Sequence, residues 1–265
     1  MRFEIDDPDD PRIEIFLGLR EQDRQQKRER PGGDRHSTFI AEGDIVIERG
    51  LAAGQELESV LVDATRSKLL PTLPDSTNVF AATAPVIQRI AGANKLRDPL
   101  ACFVRPPLPE AGDLLSAART VAVLEGVNNP NNLGVIMRNA AGLGIDAVLL
   151  DPTCGDPLYR RAIRASMGQV FALPHARLDA FADGLDLVHQ EGFVTMALSP
   201  TGSAELHTTS PAAKTAILLG SEGPGLSERV LERSTEVVRI SMANDVDSLN
   251  VANAAAIAFH HFVNR

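Results

Sequence analysis

From Ser37 onward the chain alternates short apolar runs with stretches of helical period, and the residues before it do not. Residues 1–36 are polar, without apolar periodicity, and contain Pro31-Gly32-Gly33, which predicts a tail or short helix plus a linker. Short β-branched or aromatic runs follow at Phe39-Ile40-Ala41, Ile45-Val46-Ile47, Val60-Leu61-Val62, Val79-Phe80 and Ala101-Cys102-Phe103-Val104, alternating with helical stretches near 44–53 and 84–92. They predict a small α/β domain over 37–105, closed by a proline-rich linker at 106–112.

A second domain is predicted over 113–265. Its strand candidates are Thr120–Val127, Ala147–Asp151, Phe193–Leu198, Thr215–Gly220 and Val237–Met242. Helical stretches fall near 132–143, 156–167, 179–190, 226–234 and 248–263. Near-continuous apolar strands separated by helices predict an α/β fold whose parallel sheet is covered on both faces.

Composition narrows the class. Hydrophobic residues make up 44% of the 265 and charged residues 23%, an ordinary globular balance. No apolar run reaches the ~18 residues of a membrane span, and the acidic start is unlike a signal peptide, so a cytoplasmic protein without membrane contact is expected. Cys102 and Cys154 are too isolated for a disulfide framework or a zinc site, so no metal is expected. The net charge of −9 disfavours generic nucleic-acid affinity, but its distribution is uneven. Residues 1–14 hold six acids against Arg2 and Arg12, whereas Arg20 through Arg35 carry six basic groups against four acids. That basic run reads either as solvated surface or as a local phosphate contact.

Three loops between an apolar run and a helix carry the candidate chemistry, at the place where open α/β sheets build binding sites. In the first, Asn132 precedes a helix that bears Arg138 six residues later; taken alone it reads as an N-cap with a surface arginine. In the second, Gly220-Ser221-Glu222-Gly223-Pro224-Gly225 lets backbone groups approach a ligand. Its Glu222 argues against a phosphate cradle, and the loop lacks the Lys-Ser/Thr end of a nucleotide-binding P-loop. In the third, Ser248-Leu249-Asn250 opens an alanine-rich helix, with Ser248 its candidate cap and Asn250 offering both donor and acceptor. The excess of alanine there predicts close packing against another backbone, such as a second copy of the chain.

In order and spacing, these loops resemble the three motifs of the SpoU (TrmH) family of RNA ribose 2′-O-methyltransferases, in the SPOUT superfamily. The matching stretches are Asn132-Leu-Gly134-Val-Ile-Met-Arg138-Asn-Ala140, then Leu219-Gly-Ser-Glu222-Gly-Pro-Gly-Leu226, then Ile240-Ser-Met242-Ala-Asn244 with Ser248-Leu-Asn-Val251. Ser241 stands where the motif has proline and Asn244 where it has glycine. Asparagine tolerates left-handed backbone, so the loop is expected to keep its shape.

The resemblance implies a parallel-sheet methyltransferase domain with a C-terminal trefoil knot. It implies, more weakly, that the preceding α/β domain is a ribosomal-protein-like substrate-binding module. It further implies S-adenosyl-L-methionine bound around Gly220, Ile240 and Leu249, with Met242 and Asn250 nearby. The reaction would be methylation of a ribose 2′-hydroxyl in rRNA or tRNA by a homodimer. Arg138 would act there as base or electrostatic stabiliser, with Asn132, Glu222, Ser248 and Asn250 positioning it, the ribose and the cofactor. Two alternatives are a non-catalytic RNA-binding relative of the same fold and a superfamily member that methylates a base nitrogen. Joint presence of Arg138, Glu222 and Asn250 disfavours the first. The Asn132/Arg138 pair and the Ser248-Leu249-Asn250 triplet disfavour the second.

Overall fold

The computed structural model describes residues 1–18, 37–91, 95–178, 181–244 and 246–263. The basic run from Arg20 to Arg35 lies outside the described residues. The chain forms two compact units, one of Met1–Pro107 with Leu158–Phe171, the other of Leu108–Pro157 with Ala172–Arg265.

Unit 1 is a five-stranded mixed sheet with helices. Its elements are β1 (Arg2–Ile5), β2 (Thr38–Glu42), α1 (Asp44–Ala52), β3 (Leu57–Asp63), β4 (Asn78–Ala82), α2 (Ala84–Ala91) and β5 (Leu100–Val104), in sheet order β1-β4-β3-β5-β2. The start of the chain is no tail. β1 pairs in parallel with β4, and the turn Pro11–Phe16 buries Ile13 and Phe16 completely. An edge strand needs one apolar face only, and a 3-10 turn anchors through two side chains, so the acids at 6–10 mask the signal. Leu158–Phe171 also falls in unit 1, although the sequence places it in the second domain. Its helix α5 (Arg160–Ala165) pairs Arg160 Nη1 with Glu42 Oε2 at 2.7 Å, and Arg49 Nη1 donates to Met167 O at 2.6 Å. Phe39, Phe103 and Phe171 cluster with ring centroids 5.5–6.1 Å apart.

Unit 2 is a seven-stranded, all-parallel sheet. It contains α3 (Ala111–Ala117), β6 (Thr120–Leu124), α4 (Pro130–Leu143), β7 (Ala147–Leu150), β8 (His175–Arg177), α6 (Phe181–Gln190), β9 (Val194–Leu198) and β10 (Ala204–Glu205). Then come β11 (Thr215–Leu219), α7 (Glu228–Arg233), β12 (Glu236–Arg239) and α8 (Val251–Phe262). The sheet order is β10-β12-β9-β11-β6-β7-β8, and each adjacent pair is parallel. Every residue of β7 and β11 is buried, which explains their unbroken apolar runs. The edge strands β8 and β10 are too short and polar to carry a sequence pattern.

On one side of this sheet α4 and α8 pack together. Ala252, Ala255, Ala258, Phe259 and Phe262 are buried, and Asn139 Nδ2 donates to Ala252 O at 3.0 Å. The small residues of α8 thus find a close packing partner within the same chain. Ile257, on its other side, stays 42% exposed.

Candidate active site

The site forms where β6, β9, β11 and β12 end. Leu219 and Leu124 are register partners, so the loops that follow them start side by side. Asp151 ties the loop after β6 to the loop after β7, accepting the backbone N–H groups of Gly126, Thr153 and Cys154 at 2.8–3.1 Å. Arg177 fastens the same region by donating to the carbonyls of Asp151, Cys154 and Gly155. Burial pushes the Cys154 thiol well above its ordinary range, so it is inert packing.

The second loop turns so tightly that only glycine fits at its first position. A Cβ on Gly220 would lie 2.1 Å from the carbonyl carbon of Gly225 and 2.2 Å from Leu226 N. Ser221 and Gly225 form an isolated antiparallel bridge, and Gly223 and Gly225 take φ values of 87° and 72°. Glu125 anchors the far end of the loop, accepting from Ser227 N and Ser227 Oγ at 2.7 Å each.

The third loop carries Asn244 at φ 58°, the left-handed backbone that asparagine tolerates better than most residues. Its last residue, Asn250, is the N-cap of α8 and accepts from Ala252 N at 2.9 Å; Ser248, read from sequence as the cap, lines the cavity instead. Asn129, not Asn132, likewise caps α4, with Pro130 in the first turn. That leaves Asn132 inside the helix, buried and free to face the third loop. Asn250 Nδ2 donates to Asn132 Oδ1 at 3.0 Å and to Glu222 Oε1 at 2.6 Å. One amide therefore ties the three loops together.

Beside this junction lies a cavity of about 660 Å³. Gly220, Ile240, Met242, Leu249 and Asn250, the positions expected to hold cofactor, all line it, as do Glu222 and Ser248. Leu219, Leu226 and Leu198 add apolar surface, and Asp247 adds a second carboxylate. No Lys, Arg or His lines it among the described residues.

Arg138 is not brought to the cavity by its own chain. Asn132 and Asn139, seven residues apart, share the face of α4 that meets the third loop and α8. Arg138, one residue before Asn139, points about 100° away, and it is exposed and outside the cavity lining.

Sequence reasoning missed one wall. Ser199, Pro200 and Thr201 line the cavity, directly after β9. A polar turn with proline and glycine after an apolar parallel strand is the available signal, the same one that marked the other loops. It also missed Glu125 and Asp151, whose roles depend on strand order.

Comparison with known proteins agrees with this geometry. The model of the SpoU rRNA Methylase family matches residues 119–260. A Mycobacterium tuberculosis protein described as an uncharacterized tRNA/rRNA methyltransferase is 41% identical over 97% of this chain and 90% of its own. Among solved structures, an AdoMet-bound rRNA methyltransferase from Sinorhizobium meliloti superposes with a TM-score of 0.80 at 25% identity, covering 98% of this chain and 97% of that one. A structure described as an RNA 2′-O ribose methyltransferase gives 0.74 at 27% identity, covering 98% and 97%. With three motif loops converging on one asparagine and a family match spanning the sheet that carries them, this chain belongs to the SpoU rRNA methylase family.

Proposed function

We propose that this protein methylates a ribose 2′-hydroxyl of structured RNA, rRNA or tRNA, with S-adenosyl-L-methionine as methyl donor. The observation that carries the reading is the cavity's charge. Glu222 and Asp247 line it without a basic partner among the described residues, which suits a cationic sulfonium and repels the phosphates of NAD or ATP. Its volume lies within the ~300–1,000 Å³ usual for small-molecule sites. Leu198, Leu219, Leu226 and Leu249 supply apolar walls, and the glycines of the second loop open backbone groups to the ligand. The AdoMet-bound neighbour supports the cofactor, and the RNA 2′-O ribose neighbour supports the acceptor.

When bound, S-adenosylmethionine supplies an electrophilic methyl group. The protein's task is to place the hydroxyl in line and stabilise its oxygen as the proton leaves. Asn250 holds Glu222 and Asn132 at the junction, and Ser248 offers a hydroxyl beside it. Arg138 serves a site assembled from two copies of the chain, where its planar cation orients a phosphate and stabilises the developing alkoxide. Unit 1, whose span includes the basic run, selects the RNA, and the segment from Ile240 to Asn250 threads the knot that the family resemblance implies. Incubation with labelled S-adenosylmethionine and total RNA, followed by alkaline hydrolysis, tests the reading. Label in alkali-resistant dinucleotides is expected; label in modified bases alone refutes ribose methylation.

A further inference from the structure

A carboxylate outside the cavity holds two of its edges. Glu205 ends β10 in register with Arg239 of β12. Its Oε1 accepts from Arg239 Nε at 2.8 Å and from Arg239 Nη2, and its Oε2 accepts from the Ser241 hydroxyl. The remaining arm of that guanidinium, Nη1, donates to Gly202 O at 2.8 Å. Gly202 packs so tightly on β12 that a Cβ would lie 2.5 Å from the Val238 carbonyl carbon.

Each end of this network adjoins residues that line the cavity. Pro200 and Thr201 precede Gly202, and Ile240 and Met242 flank Ser241. We infer that Glu205 is a positioning residue for S-adenosylmethionine, its carboxylate fixing the 199–202 turn and the 240–242 strand exit as one preformed wall. The inference rests on the proposal that this cavity takes that cofactor. Proline, which the motif has at 241, would fix φ by its ring; serine leaves φ free, and the tie to Glu205 supplies the missing constraint. A wall ordered before binding spares the ligand the entropy of ordering it. The Ser241 hydroxyl, and after it the Arg239 guanidinium, hold the Glu205 carboxyl below its ordinary range, so the network stays charged at neutral pH.

Calorimetric titration with S-adenosylmethionine, alongside thermal unfolding, tests this on the full chain. Glu205→Ala is expected to weaken binding about 10-fold and Ser241→Ala about 3-fold, with turnover at saturating cofactor within about twofold of wild type. Because both changes break one network, the double variant should bind no more weakly than Glu205→Ala. Glu205→Gln, which keeps an acceptor for Ser241, should recover part of the loss. Wild-type binding with Glu205→Ala unchanged, or additive losses in the double variant, overturns the inference. If Glu205→Ala does not fold, Ser241→Ala decides, and unchanged affinity there overturns it too. Absence of binding by the wild type instead refutes the cavity assignment, and the inference falls with it.

Discussion

Arg138 and Asn250 show what a single residue contributes here. Asn250 uses both amide donors on the first and second loops and its acceptor on the first turn of α8, so it fixes the junction of the three loops. Arg138 is exposed and outside the cavity lining, and the mechanism proposed above gives it a role in the transition state and not in cofactor binding. Arg138→Ala is therefore expected to lower methylation on the order of 100-fold or more, while affinity for S-adenosylmethionine stays at the wild-type value by calorimetry. Arg138→Lys separates charge from shape, since lysine lacks the planar fork. Retained activity in Arg138→Lys would indicate plain electrostatics, and normal turnover in Arg138→Ala would remove Arg138 from the mechanism. At this scale the sequence was readable because the motif residues are themselves the contact residues. Cap assignments failed at Asn132 and Ser248 because a cap depends on which neighbour first leaves the helix, a choice made by Asn129-Pro130 and by Asn250.

Elements were legible where the strand lies inside the sheet. The five inner strands of unit 2 and its amphipathic helices follow directly from apolar runs and helical period, whereas β1, β8 and β10 lie at sheet edges with little side-chain signal. The first eighteen residues give a sharp test. Phe16 is fully buried among the side chains around Ile40, Leu61 and Phe80, so Phe16→Ala should cost about 3–5 kcal/mol in urea unfolding. A tail residue would cost almost nothing, and such a result would detach this segment from unit 1.

A second test concerns acid. Burial alone would raise the Asp44 carboxyl, but hydrogen bonds and charge from Lys68 and Arg66 outweigh it and hold it below its ordinary value of 3.8. A lowered folded value means the stabilisation is full above that ordinary value and fades as pH falls through the folded one. Unfolding midpoints measured from pH 6 down to pH 2 should thus drop less steeply in Asp44→Asn than in wild type. Parallel curves would show that the ion pair does not contribute.

For the whole molecule, the division into units departs from the order of residues along the chain. Leu158–Phe171 folds with residues Met1–Pro107, held by the Arg160–Glu42 pair and the Phe171 cluster, so a cut in the 106–112 linker does not isolate one intact unit. Sequence periodicity cannot reveal this, because it reports the shape of a helix and not the unit that covers it.

Assembly into a dimer is the remaining question at this scale, and Ile257 can answer it. Ala252, Ala255 and Ala258 of α8 are already covered by its own chain, so they no longer argue for a partner. Ile257 does, being a large apolar side chain 42% exposed on the opposite side of that helix, in a chain whose Arg138 also faces away from the cavity. In an isolated chain, Ile257→Glu places a charge in water and should change stability by less than about 0.5 kcal/mol. If a second copy covers this face, the same change buries an unpaired carboxylate and drives the copies apart. Light scattering at micromolar concentration is expected to give a dimer for wild type and a monomer for Ile257→Glu, with methylation lost and each monomer still folded by circular dichroism. A monomeric wild type, or a variant that remains dimeric and active, would exclude this face as the interface and require Arg138 to reach its substrate within one chain.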